Sequence, residues 1–185
     1  MSPYLEPSTA FTEQVLQDLE SVTRDGLAPL RDGRASEQVL KAYQARLENH
    51  SICFVIPAGA VVDNAVIRLR GGILVLGAMR GKVTCATGSA IIGSGGEFQG
   101  TLEADDVLIE GHVTSPLDSN AKPVRSSLSD IRARGRKDEI TGEFRGGFIM
   151  LSGLATVCAR MRARGYQIPR NTNIDGSIME TLSER

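Results

Sequence analysis

Between residues 55 and 91 apolar side chains recur at a spacing of six: Val55, Val61, Ile67, Ile73, Met79, Cys85 and Ile91. A helix repeats its buried face every 3.6 residues and a half-buried strand every two, so neither element alone produces this spacing. A coil of short strands does. Three flat faces of about six residues each give a turn of roughly 18, and each turn buries itself on the next. The glycines agree: 11 of the chain's 20 lie between residues 59 and 111. Each would cost about 1 kcal/mol inside a helix, so they mark tight corners instead. No proline falls between Pro57 and Pro116, and Phe98 is the one aromatic residue in 59–111. A narrow coil interior has room for Val, Ile, Ala, Cys and Met and little room for rings. The phase breaks after Ile91, where Glu97 and Glu103 take the next positions, and Gly93-Ser-Gly-Gly96 absorbs the slip as a wider corner.

Three fragments in this zone share one pattern: Met79-Arg-Gly81-Lys-Val83, Phe98-Gln-Gly100-Thr-Leu102 and Ile109-Glu-Gly111-His-Val113. Read as strands, they turn the apolar residues to one side. Arg80, Lys82, Thr84, Gln99, Thr101, Glu103, Glu110 and His112 then face water. A coil of this kind leaves two terminal turns as open strand edges, which need a cap or a second copy. The predicted edges are Phe54, Val55 and Ile56 at one end and Val107, Ile109 and Val113 at the other. End-to-end pairing at such edges requires no cofactor.

The flanks read differently. Phe11, Val15, Leu19 and Val22 form one helical stripe, and Val39, Leu40, Tyr43 and Leu47 form another. Leu27-Ala-Pro-Leu-Arg-Asp-Gly33 turns between them, so the sequence predicts a helical hairpin from about 9 to 49. It either packs on the central zone or serves as an arm for a partner. Residues 114–141 read as a connector rich in turn residues. Gly142-Glu-Phe-Arg-Gly-Gly147 echoes Gly96-Glu-Phe-Gln-Gly100, so a coil strand is expected to resume there. Leu151, Leu154, Val157, Cys158 and Met161 then predict a helix over 150–164 closed by Gly165, with Phe148-Ile-Met-Leu as a strand in the rival reading. The expected organisation is a helical arm over 1–50, a coil over 51–115, and a basic connector with a helix-containing extension over 116–185. The class is mainly β.

Charge separates along the chain. Residues 1–50 hold 5 basic and 8 acidic side chains, and residues 125–170 hold 10 basic and 4 acidic. Arg132, Arg134, Arg136, Lys137, Arg160 and Arg164 form the candidate basic patch. It is either a solvated surface or a contact for an acidic partner or a membrane surface. The total charge of −1 argues against specific nucleic-acid binding. No apolar run reaches the roughly 20 residues of a membrane-spanning helix. The N-terminus lacks a basic-then-apolar signal, and the three cysteines, Cys53, Cys85 and Cys158, suggest no disulfide framework. These features lead to the expectation of a reduced, cytoplasmic protein.

The stretch from Ile73 to Val113 resembles the core of the bactofilins, bacterial polymer-forming cytoskeletal proteins. Its closest part is Gly100-Thr-Leu-Glu-Ala-Asp-Asp-Val-Leu-Ile-Glu-Gly-His-Val113. The resemblance covers about 60 residues. It implies a right-handed triangular β-helix that polymerises through its end turns without nucleotide. It also implies a scaffolding role that positions envelope enzymes or other partner proteins, and the expected place is the cytoplasm or the inner membrane surface. The helical front and ordered back depart from the family's pattern, which leaves a non-polymerising adaptor in a membrane-associated or secretion assembly as the alternative.

Enzyme chemistry is thinly supplied. A coil-shaped acyltransferase, which shares the six-residue repeat, needs a general base. The chain has two histidines: His50 is expected to be solvated, and His112 lies beside Glu110 on an outward strand face. Asp105 and Asp106, with Glu103 and Glu110, offer oxygen ligands for a hard cation or form a charged corner. Gly93-Ser-Gly-Gly96 lacks the Lys-Ser/Thr ending of a phosphate loop. The expectation is no enzyme, no cofactor and no metal.

Overall fold

A computed structural model describes residues 50–183. The predicted hairpin over 9–49 lies outside the described residues. The remainder, Ile52–Arg185, is one compact unit. It is a solenoid of parallel strands, and the glycine-rich centre coils as the periodicity requires.

One face is a six-stranded parallel sheet: β1 (Ile52–Ile56), β3 (Gly72–Val75), β5 (Ser89–Ile92), β7 (Asp106–Ile109), β12 (Phe148–Leu151) and β15 (Gly165–Gln167), in that order. The second sheet wraps the other two faces. In the early turns a single strand spans both: β2 (Val61–Leu69), β4 (Ala78–Cys85) and β6 (Glu97–Ala104). Later turns split it in two. β8 (His112–Val113) and β9 (Ser129–Ala133) form one pair, and β13 (Thr156–Val157) and β14 (Ala159–Ala163) the next. The order β13-β8-β6-β9-β14 ends on β16 (Ile178–Thr181).

Gly81 and Gly100 explain how one strand serves two faces. Their φ values are +140° and +134°, a region that side chains with a Cβ rarely adopt. They stack in register, as do Met79 with Phe98 and Val83 with Leu102, so the first two sequence fragments are true repeats. The third is not. Gly111 stands at the corner before β8, where an added Cβ would lie 2.3 Å from the carbonyl oxygen of Gly96. Gly77 and Gly96 belong to the same corner, each closing on a carbonyl at 2.3 Å.

The lumen is filled by inward columns. Ile56, Val75, Ile92, Ile109 and Leu151 form one, and Val83, Leu102, Ile131 and Met161 another. Ala104, Ala133 and Ala163 line a third, where three small side chains let two faces meet closely. The six-residue spacing holds for Ile67, Ile73, Met79 and Cys85, which face the lumen. It fails at Val61, which is 68% exposed, and at Val55 and Ile91, which pair with Leu74 on the outward side of the first sheet. Corners of unequal length shift the phase: face-to-face partners lie 17 apart at Ile73/Ala90 but 19 apart at Met79/Phe98. The outward column of the first sheet, Leu74, Ile91, Leu108 and Met150, is buried too. These strands therefore read as unbroken apolar runs, as parallel strands buried on both faces do.

Two sequence expectations fail in the back third. The coil does not end near residue 115, because β9, β12, β14, β15 and β16 add further layers. No helix forms over 150–164. Ala159, Met161 and Ala163 point in while Arg160 and Arg162 point out, a period of two. Leu154, counted in the helical stripe, is 83% exposed at a corner. The rival strand reading of Phe148-Ile-Met-Leu is the correct one. Among the described residues the helical content is one 3-10 turn, Arg125–Ser127.

Two excursions explain why the back was hard to read. Residues 114–128 leave between β8 and β9. Their root is tied by Ser129, whose amide donates to Ser115 Oγ at 2.9 Å and whose hydroxyl oxygen accepts from Gly100 N at 2.9 Å. Residues 134–147 leave between β9 and β12 as an antiparallel hairpin, β10 (Arg136–Lys137) and β11 (Phe144–Arg145). The echo of Gly96-Glu-Phe in Gly142-Glu-Phe is thus a hairpin strand, and the coil resumes at Phe148.

Candidate functional site

The site residues predicted for self-association fall into two groups. Phe54 and Val55 lie in β1, which has a neighbour in β3 and none on its other side among the described residues. Phe54 occupies an inward position, opposite Ile73, yet is 38% exposed, since no further turn among the described residues covers it. Ile56, at the end of the same strand, is buried. Beside it β2 pairs, among the described residues, with β4 alone and exposes Val61 and Val66 at 68% and 69%. Among the described residues this first turn is the terminal layer of the coil.

Val107, Ile109 and Val113 are elsewhere. They are buried, and β12 and β13 stack over them. They are interior residues of the coil and cannot form a terminal layer. The true last layer is β15 and β16, and it is closed more fully. The ring of Tyr166 takes the inward position opposite Ile149. Its hydroxyl reaches the carbonyl of Met161 at 2.9 Å and that of Glu180. Burial pushes the Tyr166 hydroxyl up from its ordinary pKa, so it stays protonated and able to donate. The exposed side chains around it are Gln167, Met179, Glu180 and Thr181, mostly polar. The sequence reading missed this plug because Gly165-Tyr-Gln was taken for the end of a helix.

The basic residues are not one patch. Arg132 and Arg160 stand on the outer face of β9 and β14 in a charge ladder. Glu103, Arg132, Arg162 and Glu180 stack in one column. Arg162, which the sequence reading left out, pairs with Asp130, and Arg160 lies 3.9 Å from Glu180. The alternation Arg160-Met-Arg-Ala-Arg164 was its legible sign.

Arg134 is a clamp between turns. Its guanidinium donates to Glu103 at 2.8 Å, to the carbonyl of Ala86 at 2.6 Å and to that of Cys85. The bonds tie the root of the hairpin to two earlier turns. We expect Arg134→Ala to cost about 2 kcal/mol, since it strands two carbonyls and a half-buried carboxylate. Urea denaturation of the variant would show it as a lower midpoint.

Arg136 and Lys137 belong to the hairpin, and Arg164, which follows β14, packs against it. Arg164 lies 4.5 Å from the centroid of Phe144 and Lys137 5.9 Å, so two cations approach that ring. Arg136 pairs directly across the hairpin with Arg145 and leans 3.7 Å from Asp105. The carboxylates expected at a charged corner are therefore partly engaged. Asp105 accepts from Gly88 N at 3.1 Å, and Asp106 accepts from Phe148 N at 3.0 Å. Burial pushes both up from the usual carboxylate range.

No group of three or more His, Cys, Asp or Glu is placed to hold a metal among the described residues. Glu110 is buried rather than solvated, and His112 points outward beside Glu97 on the neighbouring strand. His50 is buried, contrary to expectation. Burial raises the Cys85 thiol to about 12, an inert core group, while Cys53 is exposed on the open edge. In comparisons with known proteins, no family model, no curated protein and no solved structure matches this chain.

Proposed function

We propose that this chain is a bactofilin-like scaffold that self-associates through an end of its coil, without nucleotide or other cofactor, and positions partner proteins. One observation carries the reading. Among the described residues, the first turn offers two unpaired strand edges and three exposed apolar side chains, Phe54, Val61 and Val66. Such an edge is a template for a further strand. A second copy supplies strands of matching length and periodicity. The fold suits a role as a rigid spacer, since parallel turns transmit position along the coil. A cytoplasmic place at the inner membrane surface, and no catalytic step, go with this reading.

The closed last layer favours a second reading. With Tyr166 plugging one end, growth in both directions is hindered, which fits a non-polymerising adaptor. Sedimentation velocity over a wide concentration range separates the two. The scaffold reading expects a sedimentation coefficient that rises with concentration, and a Phe54→Asp chain that stays monomeric at every concentration. A wild-type chain that is monomeric throughout would remove self-association and leave the adaptor.

A further inference from the structure

Strand pairing in the coil is regular except in its first turn. Every described pair of coil strands that leaves out β1 and β2 keeps an unbroken register. Both breaks fall in the first turn. In β1 Cys53 is an extra residue, because Ile52 and Phe54 face the consecutive Gly72 and Ile73. In β2 Asp63 and Asn64 stand against Arg80 alone, because Val62 and Ala65 face Met79 and Gly81. Two residues against one make a β-bulge. Exposure records it too: outward and inward positions alternate along β2 except at Asp63 and Asn64, which are both exposed.

The bulge takes the place of the glycine bend. β4 and β6 turn between two faces at Gly81 and Gly100, but β2 has Ala65 in that register and places a left-handed φ of +52° at Asn64 instead. Asparagine tolerates that region better than most residues with a Cβ. The Asn64 amide donates to Asp63 Oδ1 at 3.1 Å, and Asp63 lies 3.9 Å from Arg80 with both side chains exposed. A bulge bends its strand and tightens the local twist. Val61–Val62 and Ala65–Leu69 therefore do not present one straight row of donors and acceptors. Bulges and charges are two devices that keep sheet edges from pairing freely, and Asp63–Asn64 combines them.

We propose that the Asp63–Asn64 bulge is a gate on self-association: it cuts the β2 edge in two and confines a second copy of the chain to the Ala65–Leu69 half. The gate presupposes that the first turn receives a second copy. A straight incoming strand can follow one side of the kink, and five residues outcompete two. The Cys53 bulge does the same for β1 and leaves Phe54–Ile56 as its usable part. The gate keeps the edge open to a second copy while forbidding the full-length pairing that interior turns make, so association stays weaker than the stacking within the coil.

The decisive variant restores the repeat. Deleting Asn64 together with Ala65→Gly turns Val62-Asp-Asn-Ala-Val-Ile67 into the apolar-x-Gly-x-apolar pattern of Met79-Arg-Gly-Lys-Val83. In the full-length chain, sedimentation velocity should show this variant associating at a concentration at least about tenfold lower than the parent, since cross-strand pairs now run unbroken along the edge. Asn64→Gly, which keeps the bulge and relieves its φ, should associate as the parent does. A bulge-free chain with the parent's β-sheet circular dichroism and an unchanged concentration dependence overturns the gate. The outcomes also separate the gate from the association it presupposes. A monomeric parent with an associating bulge-free chain supports the gate and removes native self-association, whereas two monomeric chains remove both. Hydrogen exchange of the unmodified chain, dilute against concentrated, gives an answer that does not depend on the variant folding. Protection should appear at the amides of 65–69 that face away from β4 and not at 61–64. Protection gained evenly over 61–69 overturns the gate.

Discussion

Gly100→Ala is expected to be among the most damaging conservative changes in this chain, costing at least about 3 kcal/mol. The reason is local and steric. A Cβ at position 100 would lie 1.9 Å from the carbonyl oxygen of Gly81, and the residue sits at φ +134°. Neither defect relaxes alone. Moving β6 away from β4 breaks the register that runs from Ala78/Glu97 to Thr84/Glu103. Rotating φ straightens the strand and removes the bend between two faces. The Gly100 amide also donates to Ser129 Oγ at 2.9 Å, so the fault reaches the root of the 114–128 excursion. The control is Gly153→Ala. No atom lies within 4 Å of a Cβ there, and the change should stay within about 0.5 kcal/mol. Urea midpoints of the two variants, compared with the parent, decide it. Equal midpoints would mean that the bend is not glycine-dependent.

That contrast also shows what the sequence could reveal. Glycine inside an alternating apolar pattern points to a strand, and at Gly81 and Gly100 that reading led to the stacked strands β4 and β6, though not to the bend they carry. The same pattern at Gly111 did not, because a corner glycine and a mid-strand glycine look alike in one dimension. The edge at Phe54, unpaired among the described residues, was legible because the apolar run Phe54-Val-Ile56 opens the coil zone. The far edge was not. Two excursions, 114–128 and 134–147, separate partners that are adjacent in space: Val107 and Ile149 are in register across 42 positions. A period cannot be followed through insertions of unequal length. The back third misled for a second reason. Ala159-Arg-Met-Arg-Ala163 alternates cleanly, but Leu154 and Val157 upstream complete a helical stripe by chance, and the stripe is longer. Charge was the least legible of all, because whether an arginine is a partner-binding group or a clamp depends on what lies one turn below it.

The reassigned edge has a direct experimental consequence. Ile109→Asp is expected to unfold the coil, at a cost above about 4 kcal/mol, with loss of the β-sheet circular dichroism signal at ambient temperature. Ile109 is 1% exposed and stands in the lumen between Ile92 and Leu151. A carboxylate there has apolar neighbours above and below, and the lumen is too narrow for the side chain to reach water. Phe54→Asp puts the same chemistry at an inward position of the first turn, where 38% exposure lets the carboxylate hydrate. Its fold should survive with a loss below about 2 kcal/mol. The two variants would look identical in an assembly assay that scores polymer alone, since an unfolded chain does not assemble either. Measured together by circular dichroism and sedimentation, they part: Ile109→Asp loses both signals, and Phe54→Asp loses only association. A folded Ile109→Asp chain would mean that β12 does not stack over β7, and the interior position of Val107 and Val113 would fall with it.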